Sequence, residues 1–340
     1  MKTMWKPALL RAAKYAFGAC VAIAIALGLG LQYPTAAGII TLLSLQDTKK
    51  ETLRTAARRI PIFLAAVGIA FICFQLLGYS VAALGLYLLA FVLLCHVASA
   101  GADIAMCSVL ITHFWVAQSM SAELFWNELL LLVIGAGIGI LLNLFLPVRV
   151  SEIRHTQREI DSAIQRVLEE MAQQVTRPPA QFLQGLAELE QSLSRAQQQV
   201  RKAADNALTM DLSYYKEYVD MRTNQFLVLG RIQTALQRLH GAPVQAGWIA
   251  DFLRRISATF HESNNAVALL KDAEEIRAKF RASELPQNRQ EFEDRAALLH
   301  LFNELEHFLL LKRTFAQSLT PEQCARYWAD RSLGQSGKDV

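Results

Sequence analysis

Ionisable and amide side chains embedded in apolar runs are the residues of this 340-residue chain best placed to do chemistry. Asn127 and Glu128 stand about one turn into the run 124–146, and His113 lies well inside 102–118. Asp103 opens that same run, His96 closes 80–97, and Asn143 sits a turn from the end of the last run. Such groups are costly to bury in hydrocarbon, so they face a cavity or another helix and often mark ion or proton paths. A carboxylate or imidazole there can take up and release a proton, which makes Glu128, His113 and Asp103 the candidates for proton coupling. Asp103 and His96 read equally well as groups wetted at an interface.

Residues 34–59 form the second constellation. Thr41, Ser44 and Gln46 put hydroxyl and amide groups along a short apolar piece entered through Pro34 and interrupted by Gly38, and they are candidates to line a path. Lys49, Lys50, Arg54, Arg58 and Arg59 follow at once. Thr48 is placed to cap a new helix with Glu51 completing a capping box, and on that helix Lys50, Arg54 and Arg58 share a face at four-residue spacing. A cationic stripe concentrates anions at an entrance. The same cations also serve to set membrane topology or to touch anionic lipid headgroups.

Other chemistries find little support. Gly135-Ala-Gly-Ile-Gly139 superficially resembles a phosphate loop but lies mid-run with no strand before it, so it reads as a close-packing surface for helices. His261-Glu262 lacks the second histidine of a zinc-protease helix, and the five cysteines show no metal-binding or disulfide spacing. Neither an enzyme, a metal nor a cofactor is expected. Nucleic acid is excluded as a partner because the polar half has no basic excess.

These residues sit on two physically different halves. Residues 1–147 carry nine Lys and Arg against five Asp and Glu, which is the whole net charge of +4, while the rest is balanced at 25 against 25. The first half holds apolar runs at 15–33, 60–78, 80–97, 102–118 and 124–146, each about long enough to cross a bilayer core of roughly 30 Å. Residues 34–46 are shorter, either a sixth span or a re-entrant piece. Cations cluster before the first run, after residue 46 and after the last run, at Arg149, Arg154 and Arg158. All three clusters fall on the cytoplasmic side only if 34–46 crosses. The expectation is therefore an all-α chain with a six-span transmembrane domain over 1–147 and both termini inside.

From 148 to 331 apolar residues recur at three- and four-residue steps, as in Leu186, Leu189 and Leu193 or Phe226, Leu229 and Ile232. Pro178-Pro179 stops the first helix of that part, and Gly241 and Pro243 punctuate it later. A cytoplasmic antiparallel helical bundle is expected there, with a flexible tail over 332–340.

The run Pro34-Thr-Ala-Ala-Gly-Ile-Ile-Thr-Leu-Leu-Ser-Leu-Gln-Asp-Thr-Lys-Lys-Glu-Thr-Leu, followed by Arg58-Arg59, resembles the signature of the aromatic acid exporter family, a bacterial branch of the fusaric-acid-resistance-like transporters. Asn127-Glu128 and Asn143-Leu-Phe-Leu-Pro147 are similar to that family's last membrane helix, and Glu293 to Leu309 is similar to its accompanying helical domain. The resemblance implies proton-driven export of small organic anions, aromatic carboxylates among them, across a bacterial inner membrane. A different reading makes the bundle the working part of a membrane-anchored interaction or sensing protein. Six spans are few for a complete pathway, so a homo-oligomer in the lipid bilayer is expected.

Overall fold

The computed structural model describes residues 2–145, 148, 150–207 and 210–332. Leu146 and Pro147 at the expected end of the sixth run, Arg149, and residues 333–340 of the expected tail lie outside the described residues. The described residues are helical, without a strand. The chain divides into two compact units, one of residues 1–148 with 205–208, the other of residues 149–204 and 209–340.

In the first unit, α1 (Lys2–Gly28) stops five residues short of the expected run because Gly30 takes a left-handed φ of 68°. There Leu31 N donates to Ala26 O and Gly30 N to Leu27 O, a glycine-terminated helix end that satisfies the last carbonyls. Then come α2 (Thr35–Ser44), α3 (Lys49–Leu77), α4 (Val81–Val97), a 3₁₀ turn at Gly101–Asp103, α5 (Ile104–Ala117) and α6 (Ala122–Leu144). Thr48 accepts from Glu51 N at 3.3 Å, as the cap expected for α3. Ser80 caps α4 and Ser121 caps α6 in the same way.

Two of these helices, α3 and α6, are long and apolar enough to cross a membrane, while Ala12–Gly28, α4 and Gly101–Ala117 are shorter apolar helices. Residues 34–46 hold a helix of ten residues, about 15 Å at 1.5 Å per residue and half a bilayer core. Its flanks extend that reach. Gln32 N donates to Asn127 Oδ1 at 2.7 Å and Asn127 Nδ2 to Gln32 O at 3.1 Å, whereas Asn143 Nδ2 donates to Gln46 O at 2.8 Å. Asn127 and Asn143 are separated by about 24 Å of α6. The segment 32–46 therefore runs beside most of the length of α6.

Close packing lets it do so. A Cβ on Gly135 would stand 2.6 Å from Ile40 Cβ and 2.7 Å from Ala37 O, and one on Gly139 would stand 2.5 Å from Ser44 Cβ. Two glycines of the 135–139 motif thus face α2 within the chain. Gly137 has nothing within 4 Å of a Cβ. Gly135→Ala should destabilise the unit by about 1–3 kcal/mol through overpacking, and Gly137→Ala should cost less than about 0.5 kcal/mol. Unfolding of the purified variants in detergent measures both, and equal effects would refute the packing assignment.

The second unit contains α7 (Val150–Gln174), α8 (Gln184–Asn206) as far as residue 204, α9 (Ser213–Leu236), α10 (Val244–Ala258), α11 (Val267–Ala282), α12 (Arg289–Ser318) and α13 (Pro321–Ser332). Its core is drawn from the apolar stripes: Ile160, Ile164 and Leu168 of α7, Leu229 and Ile232 of α9, Ile249 and Leu253 of α10, and Leu298, Phe302 and Leu305 of α12 are all fully buried. Within this unit the pairs α9 with α12 and α7 with α10 pack most extensively.

Candidate functional site

Two buried polar clusters occupy opposite ends of α6 in the first unit. At the N-terminal end, Glu128 is fully buried. Its Oε2 lies 2.8 Å from His113 Nδ1 of α5, and its Oε1 accepts from Asn127 Nδ2 at 3.0 Å. The His113 ring stacks on Tyr33 with centroids 4.1 Å apart and planes 12° from parallel. Tyr33 holds a left-handed φ of 57°, uncommon for a residue with a side chain. Because Gln32 exchanges both backbone groups with Asn127, the bend before α2 fixes one wall of the carboxylate–imidazole pair. Such a pair can hold one proton in alternative places, with either ring nitrogen able to donate or accept.

The C-terminal end gathers cations around Asp103, which is also fully buried. Arg58 Nε donates to Asp103 Oδ2 at 2.9 Å, and Arg59 Nε to Asp103 Oδ1 at 3.3 Å. Arg58 Nη1 reaches Ser99 O at 3.0 Å. Arg59, only 1% exposed, adds Leu43 O at 2.6 Å and the Ser44 hydroxyl. A guanidinium thus closes the C-terminus of α2, where orphan carbonyls and the negative end of the helix dipole favour a cation. One carboxylate against two guanidiniums leaves an excess positive charge at this end.

The expected path residues divide in the structure. Thr41 is buried and its hydroxyl donates to Ala37 O at 2.9 Å and Gly135 O at 3.1 Å, so it fastens α2 to α6. Ser44 donates to Ile40 O at 2.5 Å while serving Arg59. Gln46 meets Asn143 through its backbone, and Asn143 Nδ2 also donates to Thr52 Oγ1 at 2.6 Å. Lys50 and Arg54 are exposed, Lys49 and Arg58 half-buried. The stripe expected on one helix face is therefore graded, from solvent at Lys50 and Arg54 to the Asp103 pairing at Arg58. His96 is exposed. Sequence reasoning missed Gln32 and Tyr33. Their one signal was an aromatic residue set directly before Pro34.

A family model described as "Aromatic acid exporter family member 1" matches residues 8–146. A second, described as "Putative aromatic acid exporter C-terminal domain", matches residues 151–313. The "Uncharacterized protein YqjA" of Bacillus subtilis (strain 168) is 28% identical over 306 residues, which covers 90% of this chain and 95% of that protein. A crystal structure of a "putative membrane protein from Clostridium difficile 630" is 25% identical and covers 49% of this chain and 99% of its own, with a TM-score of 0.43.

Proposed function

This chain belongs to the aromatic acid exporter family, and from that premise we propose that it exports small organic anions, aromatic carboxylates first among them, in exchange for protons. The membrane domain has six crossings in this reading, with both termini and the 148–331 bundle in the cytoplasm. The 24 Å that residues 32–46 share with α6 support a crossing there despite the short helix. A homo-oligomer completes the pathway.

One observation carries the reading. A carboxylate–imidazole pair, the fully buried Glu128 with the half-buried His113, stands at one end of α6, and a cation cluster with excess positive charge around the buried Asp103 stands at the other. Lys50 and Arg54 draw the anion from the cytoplasm, with Lys49 beside them. Arg58 then takes the substrate carboxylate in exchange for Asp103, while Arg59 stays as the pin of α2. Thr41, Ser44 and Gln46 line the route once α2 and α6 part. Proton uptake at Glu128 and His113 drives the return, and Asp103 serves as counter-ion.

The test is accumulation of a panel of aromatic acids in everted membrane vesicles energised by an imposed pH gradient. Gradient-dependent uptake of at least one aromatic carboxylate, lost with a protonophore, is the expected result; the absence of uptake of any organic anion would overturn the assignment. Replacing Lys50 and Arg54 together by Gln should raise the half-saturating anion concentration about three- to tenfold at low salt, with the difference shrinking as salt screens it. An unchanged half-saturation point would assign those cations to lipid headgroups or topology instead.

A further inference from the structure

The second unit buries two cations side by side, and only one of them, Arg222, is paired with a carboxylate. Arg222 of α9 donates from Nε to the Tyr218 hydroxyl at 3.1 Å and from Nη1 to Gln225 Oε1 at 2.7 Å. Its Nη2 lies 2.8 Å from Asp161 Oδ1 of α7, and the guanidinium covers the Phe260 ring at 4.4 Å. Lys312 of α12 is 4% exposed. Its Nζ donates to the Glu262 main-chain carbonyl at 2.5 Å, and ring faces surround it: Phe315 at 5.2 Å, Trp328 of α13 at 5.3 Å and Tyr218 at 5.9 Å.

This surrounding suits a neutral amine better than an ammonium. An ammonium has three donors to satisfy, and the one carbonyl takes one of them. Ring faces attract a cation but do not replace water. The cavity of about 10 Å³ beside Lys312, also walled by Arg222, Gln225, His261 and Asn264, admits no more than one water. The charged and titratable groups facing the amine come from every neighbouring element. Arg222, Tyr214 and Tyr218 lie on α9, Asp161 on α7, and His261 and Glu262 on the segment after α10. The two carboxylates are engaged elsewhere: the Tyr218 hydroxyl donates to Asp161, which also pairs with Arg222, and the Tyr214 hydroxyl donates to Glu262 at 2.6 Å. Burial first, and then the Arg222 charge, push Lys312 down to about 7.

Helix α13 forms one side of this enclosure. Trp328 covers the amine, and its Nε1 donates to the Tyr214 hydroxyl at 3.3 Å. Tyr327 stacks on Tyr214 with centroids 3.9 Å apart. Lifting α13 uncovers Lys312 to water, where an amine holds its proton more tightly. Uncovered α13 therefore goes with a bound proton and docked α13 with a released one. We propose that α13 is an acid-released latch: docked, it covers Lys312 as the neutral amine, and a proton taken up by Lys312 frees the helix.

The sign follows from linkage. The undocked state binds more protons wherever the pH lies above the docked value near 7 and below that of the uncovered amine, at most the ordinary lysine value of 10.5, so docking strengthens as pH rises through that window and is flat below it. One proton sets a limit of about tenfold in the docking equilibrium per pH unit. This latch is independent of the export reading and adds a proton-sensitive element outside the membrane domain. Its test needs no transport.

Hydrogen exchange of the amides of residues 323–328 is followed in the full-length protein in detergent, from pH 6 to 9, with intrinsic exchange rates divided out. Protection should rise toward tenfold per pH unit above about pH 7 and level off below it, while α9 stays protected throughout. Lys312→Met should remove the pH dependence and leave α13 protected. Trp328→Leu, which retains the amine, should lower α13 protection at every pH with α9 unchanged. A flat profile in the native protein overturns the latch. So does a slope that survives Lys312→Met, or α13 protection untouched by Trp328→Leu.

Discussion

Glu128→Gln should lower the proposed proton-driven export by about two orders of magnitude or more and leave the protein folded and inserted. The amide is nearly the same shape as the carboxylate. Its oxygen still accepts from Asn127 Nδ2, and its nitrogen can donate to His113 Nδ1, so both contacts now at 3.0 and 2.8 Å survive. Only the proton-carrying capacity is lost. Downhill exchange of labelled anion across liposomes, which needs no net proton movement, should fall by no more than a few-fold. His113→Gln should weaken gradient-driven export without eliminating it, because Glu128 retains its Asn127 contact. Proton flux and anion flux measured together in proteoliposomes decide the matter. Unchanged coupling in Glu128→Gln would remove this pair from the mechanism.

Asp103→Ala is the most destabilising single change expected in the membrane unit, at about 3–5 kcal/mol. It strips the counter-ion from Arg59, which is 1% exposed, and leaves Arg58 beside it with like charge. The cost comes from the stranded guanidinium more than from the lost attraction, since desolvating a charge without a partner dominates. Removing the charge as well should therefore rescue most of the loss. In Asp103→Leu with Arg59→Met, apolar side chains of similar bulk replace the pair, and the double variant should be more stable than Asp103→Ala alone. Denaturant unfolding in detergent for the two single variants and the double variant gives the coupling energy. Additive losses would mean that Arg59 is held by Leu43 O and Ser44 rather than by Asp103.

Much of the architecture was legible because hydrophobic periodicity and cap chemistry act over a few residues. The Thr48 cap, the stop at Pro178-Pro179, and the stripes of α8, α10 and α12 are local features. Less legible was α11, since only Leu269 and Ala273 of its residues are buried and its stripe is correspondingly faint. Helix α1 ends before its apolar run does, because apolarity continues to Tyr33 while Gly30 turns the chain. The two-residue linker after α12 and the start of α13 lie under a polar pattern without a wide apolar face, and the aromatic contacts of Tyr327 and Trp328 give that helix its anchor.

By itself the sequence determined that one half is apolar with isolated ionisable groups, that the other is a charge-balanced set of amphipathic helices, and that a cation cluster follows a short polar-lined segment. Tertiary structure alone decided which of those groups meet. Arg59 belongs to the same cation cluster in sequence but turns inward to Asp103, 44 positions away, whereas Lys50 and Arg54 stay in solvent. Thr41 and Ser44 close the α2–α6 seam, and Tyr33 joins His113 and Glu128 through a left-handed bend. Composition and spacing state what a side chain can do and which face of its own helix it occupies. Its partner depends on the rotation and register of a different helix, which packing of many distant residues sets at once.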